Sequence, residues 1–126
     1  MASMLRAGIA ERGYVGNLVV QGSRASGRAI EPGTDLDLAL RVEPTEFDRI
    51  LNEQSKMAKP TPGSANDRSR IRSIEHGRIF AREANLASVR NKIKEIFPGM
   101  TVQLSVIKIG GRFDNGAQIP IEGDNP

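Results

Sequence analysis

The sequence predicts a small α/β or α+β fold, a mixed sheet of three to four strands covered by helices, on three observations. Short runs rich in apolar residues recur at 17–21, 35–42 and 101–109. Stretches with helical spacing of apolar residues lie around them, and glycine, proline and small polar residues punctuate the joins. Strands separated by helices bury their apolar sides by layering one on the other. A chain of 126 residues suits one domain, 1–126, around a single core.

Taken in order, Ala2 to Arg12 reads as a short helix with Met4, Leu5, Ala7, Ile9 and Ala10 on an apolar side, and Gly13 ends it. Asn17 to Gln21 is a strand. The small, glycine-dotted stretch from Gly22 to Gly33 is a loop or a single helical turn. Asp35 to Val42 is a second strand, in which Leu36, Leu38 and Leu40 alternate with Asp35, Asp37 and Ala39. Pro44 closes it, and Thr45 is placed to cap a helix from Glu46 to about Lys56. Lys59 to Gly63 is a loop by composition. Ser64 then serves as N-cap for a basic helix to about Glu75, broken at His76-Gly77. A longer helix from Ile79 to Phe97 follows, with Ile79, Leu86, Val89, Ile93 and Ile96 inward, and Pro98-Gly99 stops it. Thr101 to Ile109 is the third strand, leaving through Gly110-Gly111. The tail 112–126 reads as a flexible stretch, apart from a fourth strand at Gln118 to Ile121 that Pro120 would confine to an edge.

Composition excludes several classes. With no cysteine there is no disulfide and no thiolate metal site. No apolar run approaches the roughly 20 residues of a membrane span, and no signal-peptide pattern opens the chain. Net charge is only +3, but arginines crowd the region from Arg68 to Lys94. Their planar donor forks suit phosphates, which raises the expectation of a nucleotide or nucleic-acid partner. The plainer reading is a solvated helix face.

The stretch with chemistry in it runs Val19-Val20-Gln21-Gly22-Ser23-Arg24 and, after a loop, Thr34-Asp35-Leu36-Asp37-Leu38. Side chains two apart on a strand share a face, so Asp35 and Asp37 stand together while the leucines point to the core. Paired carboxylates repel unless a cation compensates, and hard divalent cations bridge such oxygens to substrate phosphates. Gly22 lets backbone approach a ligand, Ser23 adds a hydroxyl, and Arg24 and Arg28 add charge. Lys108 and Arg112, at the exit of the third strand, are further candidates to reach a nucleotide. Tyr14 reads as core or rim.

This run resembles the pattern of the nucleotidyltransferase superfamily, shared by DNA polymerase β and many small transferases. There an apolar strand ends in Gly-Ser and a short interval leads to Asp-apolar-Asp-apolar. The resemblance covers residues 17–42 and implies Asp35, Asp37 and Ser23 as catalytic residues. It further implies Mg²⁺ or Mn²⁺ held by Asp35 and Asp37, and an NTP substrate on Gly22, Ser23, Arg24 and Lys108. A looser resemblance extends over Gln-Gly-Ser-Arg-Ala, Thr-Asp-Leu-Asp, Pro-Gly-Ser-Ala, Arg82-Glu83-Ala84, Ser-Val-Ile and Gly-Gly-Arg-Phe-Asp-Asn-Gly. It is to the C-terminal domains of bacterial polymorphic toxins of the contact-dependent inhibition and Rhs types. That likeness implies a secreted or cell-surface toxin acting in the target-cell cytoplasm on RNA (tRNA), a protein or a small molecule, and a cognate immunity protein.

One departure stands out. The superfamily usually carries a third carboxylate on a later strand, where this chain has Gln103 and Ser105. Asp114 swinging in, a single-metal reaction or a different reaction would each account for it. Two other functions therefore remain in play. One is RNA cleavage without NTP, using His76 as general acid or base with the arginines. The other is a non-catalytic nucleotide- or protein-binding module.

Overall fold

The computed structural model describes residues 2–21, 35–114 and 118–121. The stretch 22–34, with the loop or turn expected there and Gly22, Ser23, Arg24 and Arg28, lies outside them. Helix α1 (Ala2–Glu11) leads to strands β1 (Asn17–Gln21) and β2 (Asp35–Val42). Helix α2 (Pro44–Arg49) runs on into a π-helical turn, Ile50–Gln54, and is followed by α3 (Ala65–His76). Strand β3 (Arg78–Phe80), helix α4 (Ala87–Ile96) and strands β4 (Thr101–Lys108) and β5 (Gln118–Pro120) complete the α+β fold. The sheet order is β3-β4-β2-β1-β5. The central β2 and β4 run parallel, and the other neighbours pair antiparallel.

One face of the sheet makes the core. Leu36, Leu38, Leu40 and Val42 of β2 lie beside Val102, Leu104 and Val106 of β4, with Ile79 and Leu18 at the flanks. Leu5 and Ile9 of α1, Phe47 of α2, and Val89 and Ile93 of α4 close over them. Complete burial of such side chains is worth about 1.5–3 kcal/mol each, which makes this layer the main source of stability. Gly8 permits the close crossing of α1 and α4, since a Cβ there would stand 2.4 Å from Val89 Cγ2.

Local signals place several boundaries. Ser64 caps α3 by accepting from the Asp67 N–H at 3.2 Å. Gly77 ends the same helix with φ +65°, a conformation that glycine adopts without strain. The edge strand β5 pairs with β1, and Pro120 sits on it as an edge position allows.

Three expectations need correction. Thr45 is not the cap of α2: Glu43 takes the N-cap position and Pro44 the first turn, where its missing N–H costs nothing. The expected helix from Ile79 to Phe97 is a strand followed by a shorter helix. Arg78–Phe80 pairs with β4, and Asn85, at φ 60°, turns the chain before α4 begins. The strand brings the sheet to five. Ile96 does not face inward either, being 43% exposed at the end of α4.

Candidate functional site

The second face of the sheet carries the polar residues. In strand alternation it presents Asp35, Asp37, Ala39 and Arg41 from β2, beside Thr101, Gln103, Ser105 and Ile107 from β4. On the other side stand Asn17, Val19 and Gln21 of β1. Its buried apolar residues are Val19, Ala39 and Ile107, with Phe113 packed against them. Among the described residues, no helix residue belongs to that cluster.

Asp35 and Asp37 share this face at the start of β2, Asp35 exposed and Asp37 half-buried. Gln103 stands directly opposite Asp37 across the parallel pair, and Gln21 opposite it on β1. The two ends of the 22–34 stretch, Gln21 and Asp35, therefore lie beside the pair. Burial pushes the Asp37 carboxyl above the usual aspartate range; the Arg78 charge pulls it down, and the Asp35 charge pushes it up again. A bound cation would remove both upward causes, one by replacing lost hydration and one by neutralising the neighbour.

At the far end of the face the charges are already matched. Arg41 holds Asp114 through Nε and Nη2, the latter at 2.9 Å. The same carboxylate accepts from the Gly110 N–H at 2.8 Å and from Gln118 Nε2 at 3.0 Å. The hydrogen bond from Arg41, chiefly, holds the Asp114 carboxyl far below the usual range. In this structure Asp114 is thus engaged away from Asp35 and Asp37, pinning the turn after β4 to the sheet. Within the tail expected to be flexible, residues 112–114 and β5 are tied down by these contacts and by pairing with β1.

Lys108 also departs from expectation. It pairs with Val42, seven residues along β2 from Asp35, or roughly 23 Å at the strand rise. Its Nζ lies 5.7 Å from the ring centroid of Phe47, on the helix-covered face. The structure thus brings Asp35 and Asp37 together and leaves Lys108 apart. Tyr14 is core, its hydroxyl donating to the Ala84 carbonyl at 2.8 Å.

A cleft of about 480 Å³ opens between the C-terminal half of α3, the β3 edge and the turn after β4. Arg72, His76, Arg78, Phe80, Glu83 and Phe113 line it, with serines from α3. The Arg78 guanidinium carbon stands 4.3 Å from the Phe80 ring centroid and 4.6 Å from that of Phe113. Burial lowers the Arg78 pKa and the Asp37 charge opposes the shift, so this cation links the cleft to the carboxylate pair. Phe80 and Phe113 escaped the sequence reading; the β-branched and aromatic triplet Arg78-Ile79-Phe80 after a helix-ending glycine was the available signal.

No protein-family profile, curated protein or solved structure matches the chain. Among the described residues no group of three or more His, Asp and Glu side chains converges as a metal site, and no helix is long and apolar enough to cross a membrane. The donor set at Asp35 and Asp37 is nevertheless of the hard-oxygen kind: two carboxylates on one face, with the Gln103 amide at the register position opposite.

Proposed function

We propose that the chain is a metal-dependent nucleotidyltransferase working on the polar face of its sheet. The observation that carries this reading is the placement of Asp35 and Asp37 on one face, with the Asp37 carboxyl pushed up by burial and by its neighbour. Asp35 and Asp37 would hold Mg²⁺ or Mn²⁺, which neutralises phosphate charge and aligns the phosphates when bound. Gly22 and Ser23 hold the β- and γ-phosphates of the NTP, with Arg24 adding charge. An acceptor hydroxyl attacks the α-phosphorus: the new oxygen–phosphorus bond forms, the bond to pyrophosphate breaks and the hydroxyl proton is released to solvent. RNA, a protein or a small molecule supplies the hydroxyl. In the toxin setting that the sequence resembles, the product would disable a neighbouring bacterium, and an immunity protein would cover the site.

The test is label transfer from α-³²P-NTP to a bacterial extract, for the wild type and for Asp35→Ala and Asp37→Ala. Transfer by the wild type, lost in both variants and in EDTA, supports the reading. Transfer retained without the aspartates refutes it. Cleavage of tRNA without NTP and in EDTA would show a nuclease instead.

A further inference from the structure

We propose that the cleft between α3 and the β3 edge binds one nucleotide of a single-stranded RNA, which makes RNA the acceptor class of the site described above. The acceptor role rests on the transferase reading; the binding itself does not.

The cleft combines the two features that single-stranded nucleic acid requires, a stacking platform and a track of positive charge. Phe80 is an aromatic side chain left 54% exposed on a strand, at the mouth of a concavity. Phe113 faces the same space from the turn after β4, and its ring meets that of His76 edge-on, with centroids 5.9 Å apart. Arg78 stands against both phenylalanine rings, and its Nε is buried with no hydrogen-bond partner among the described residues. Arg72 and His76, four residues apart on α3, occupy one helix face and add donors for a phosphate. Glu83 is the one acid among the described residues of the lining. It would repel a phosphate nearby but accepts hydrogen bonds from an exocyclic amine or a ribose hydroxyl, and the latter favours RNA over DNA.

Size and position agree with this occupant. A volume of about 480 Å³ lies within the range that takes one small ligand. β3 and β2 are separated by β4 alone, and in register Phe80 is level with Ala39 and Arg78 with Arg41, two and four residues along from Asp37, so the cleft floor and Asp37 lie roughly 12–16 Å apart. A strand with one base in the cleft can therefore continue along the same face and lay a nearby nucleotide over the carboxylates. Arg78 lines the cleft on the same polar face and feels the Asp37 charge.

The experiment is fluorescence anisotropy of a labelled single-stranded RNA oligonucleotide, in EDTA and without NTP. It compares wild type, Phe80→Ala, Arg72→Ala, Lys94→Ala and the double variant Asp35→Asn/Asp37→Asn. Phe80, Arg72 and Lys94 are exposed, so these substitutions leave the core intact, as circular dichroism would verify. Phe80→Ala should weaken binding at least about fivefold with an unchanged salt slope. Arg72→Ala should weaken it and reduce the slope by about one phosphate's worth. Lys94→Ala, on α4 away from the cleft, should change little, and the double aspartate variant should still bind. No RNA binding, equal losses for Arg72→Ala and Lys94→Ala with none for Phe80→Ala, or displacement by AMP or a phosphotyrosine peptide as effective as by RNA would each overturn the proposal. Because the assay needs neither NTP nor cation, RNA binding without nucleotide transfer would sink only the transferase reading. Transfer to a non-RNA acceptor without RNA binding would sink only this one.

Discussion

Replacing Asp114 by alanine removes a carboxylate whose side chain is only 8% exposed and which accepts from Arg41, Gly110 and Gln118. Breaking one partner of a buried ion pair costs about 3–5 kcal/mol. The Arg41 side chain is 30% exposed, so water takes over some of its abandoned donors and the lower end applies, about 3 kcal/mol. In a domain of this length each kcal/mol moves Tm by about 4 °C, so the variant should melt roughly 12 °C lower. Asp114→Asn keeps the shape and loses the charge, and should fall between the two. The pH dependence gives the sharper check. The Asp114 pKa is lowered in the folded chain, so its stabilisation is complete above the ordinary aspartate range and fades as pH falls below about 4. Thermal and urea unfolding followed by circular dichroism should therefore show the wild type and Asp114→Ala converging in acid. A gap that stays constant from neutral to acid pH, or alanine within about 0.5 kcal/mol of wild type at pH 7, would refute the assignment of Asp114 as the anchor of the turn.

The aspartate pair predicts the opposite behaviour. Because the Asp37 pKa is raised, protonation favours the fold, and that contribution is lost as pH climbs above about 4 through the folded value. At neutral pH without divalent cations, Asp37→Asn should be at least as stable as wild type, and Mg²⁺ should raise the Tm of the wild type only. A variant less stable in EDTA at pH 7 contradicts the strain argument. Gln103→Asp places a third carboxylate opposite Asp37, so it should strengthen Mg²⁺ stabilisation, by about 1.4 kcal/mol at saturating cation for each tenfold gain in affinity. Unchanged Mg²⁺ titrations would mean that position 103 does not look onto the cation.

Much of the frame was legible because local rules decided it. β1 is a short β-branched run, β2 and β4 alternate in their first halves, and Ser64 and Gly77 bound α3 by chemistry that acts within a few residues. Strand β3 was not, for a physical reason. Three residues with one buried side chain, Ile79, also fit the spacing of the helix that follows, and only pairing with β4 makes them a strand. The same holds for the site. Asp35 and Asp37 could be placed on one face from their spacing alone. The cleft could not, since it joins the end of α3, a three-residue strand and Phe113 from a segment read as flexible. Lys108 was misplaced because a strand-exit position says nothing about the face it serves.

The two ends of the polar face show how this sheet separates holding from acting. Arg41 and Asp114 sit at one end with their charges matched, the arrangement a fold uses to fix a turn. Asp35 and Asp37 sit at the other end, where burial and like charge work against ionisation, and native proteins keep such conflict mainly where a ligand relieves it. This also bears on the missing third acid. Recruiting Asp114 would break four hydrogen bonds and strand Arg41, a cost on the order of the 3 kcal/mol estimated for its removal. A cation held by two carboxylates must then complete its shell with neutral oxygens and with phosphate oxygens of the substrate. Its affinity without nucleotide should accordingly be weak, and nucleotide and cation should bind as a unit.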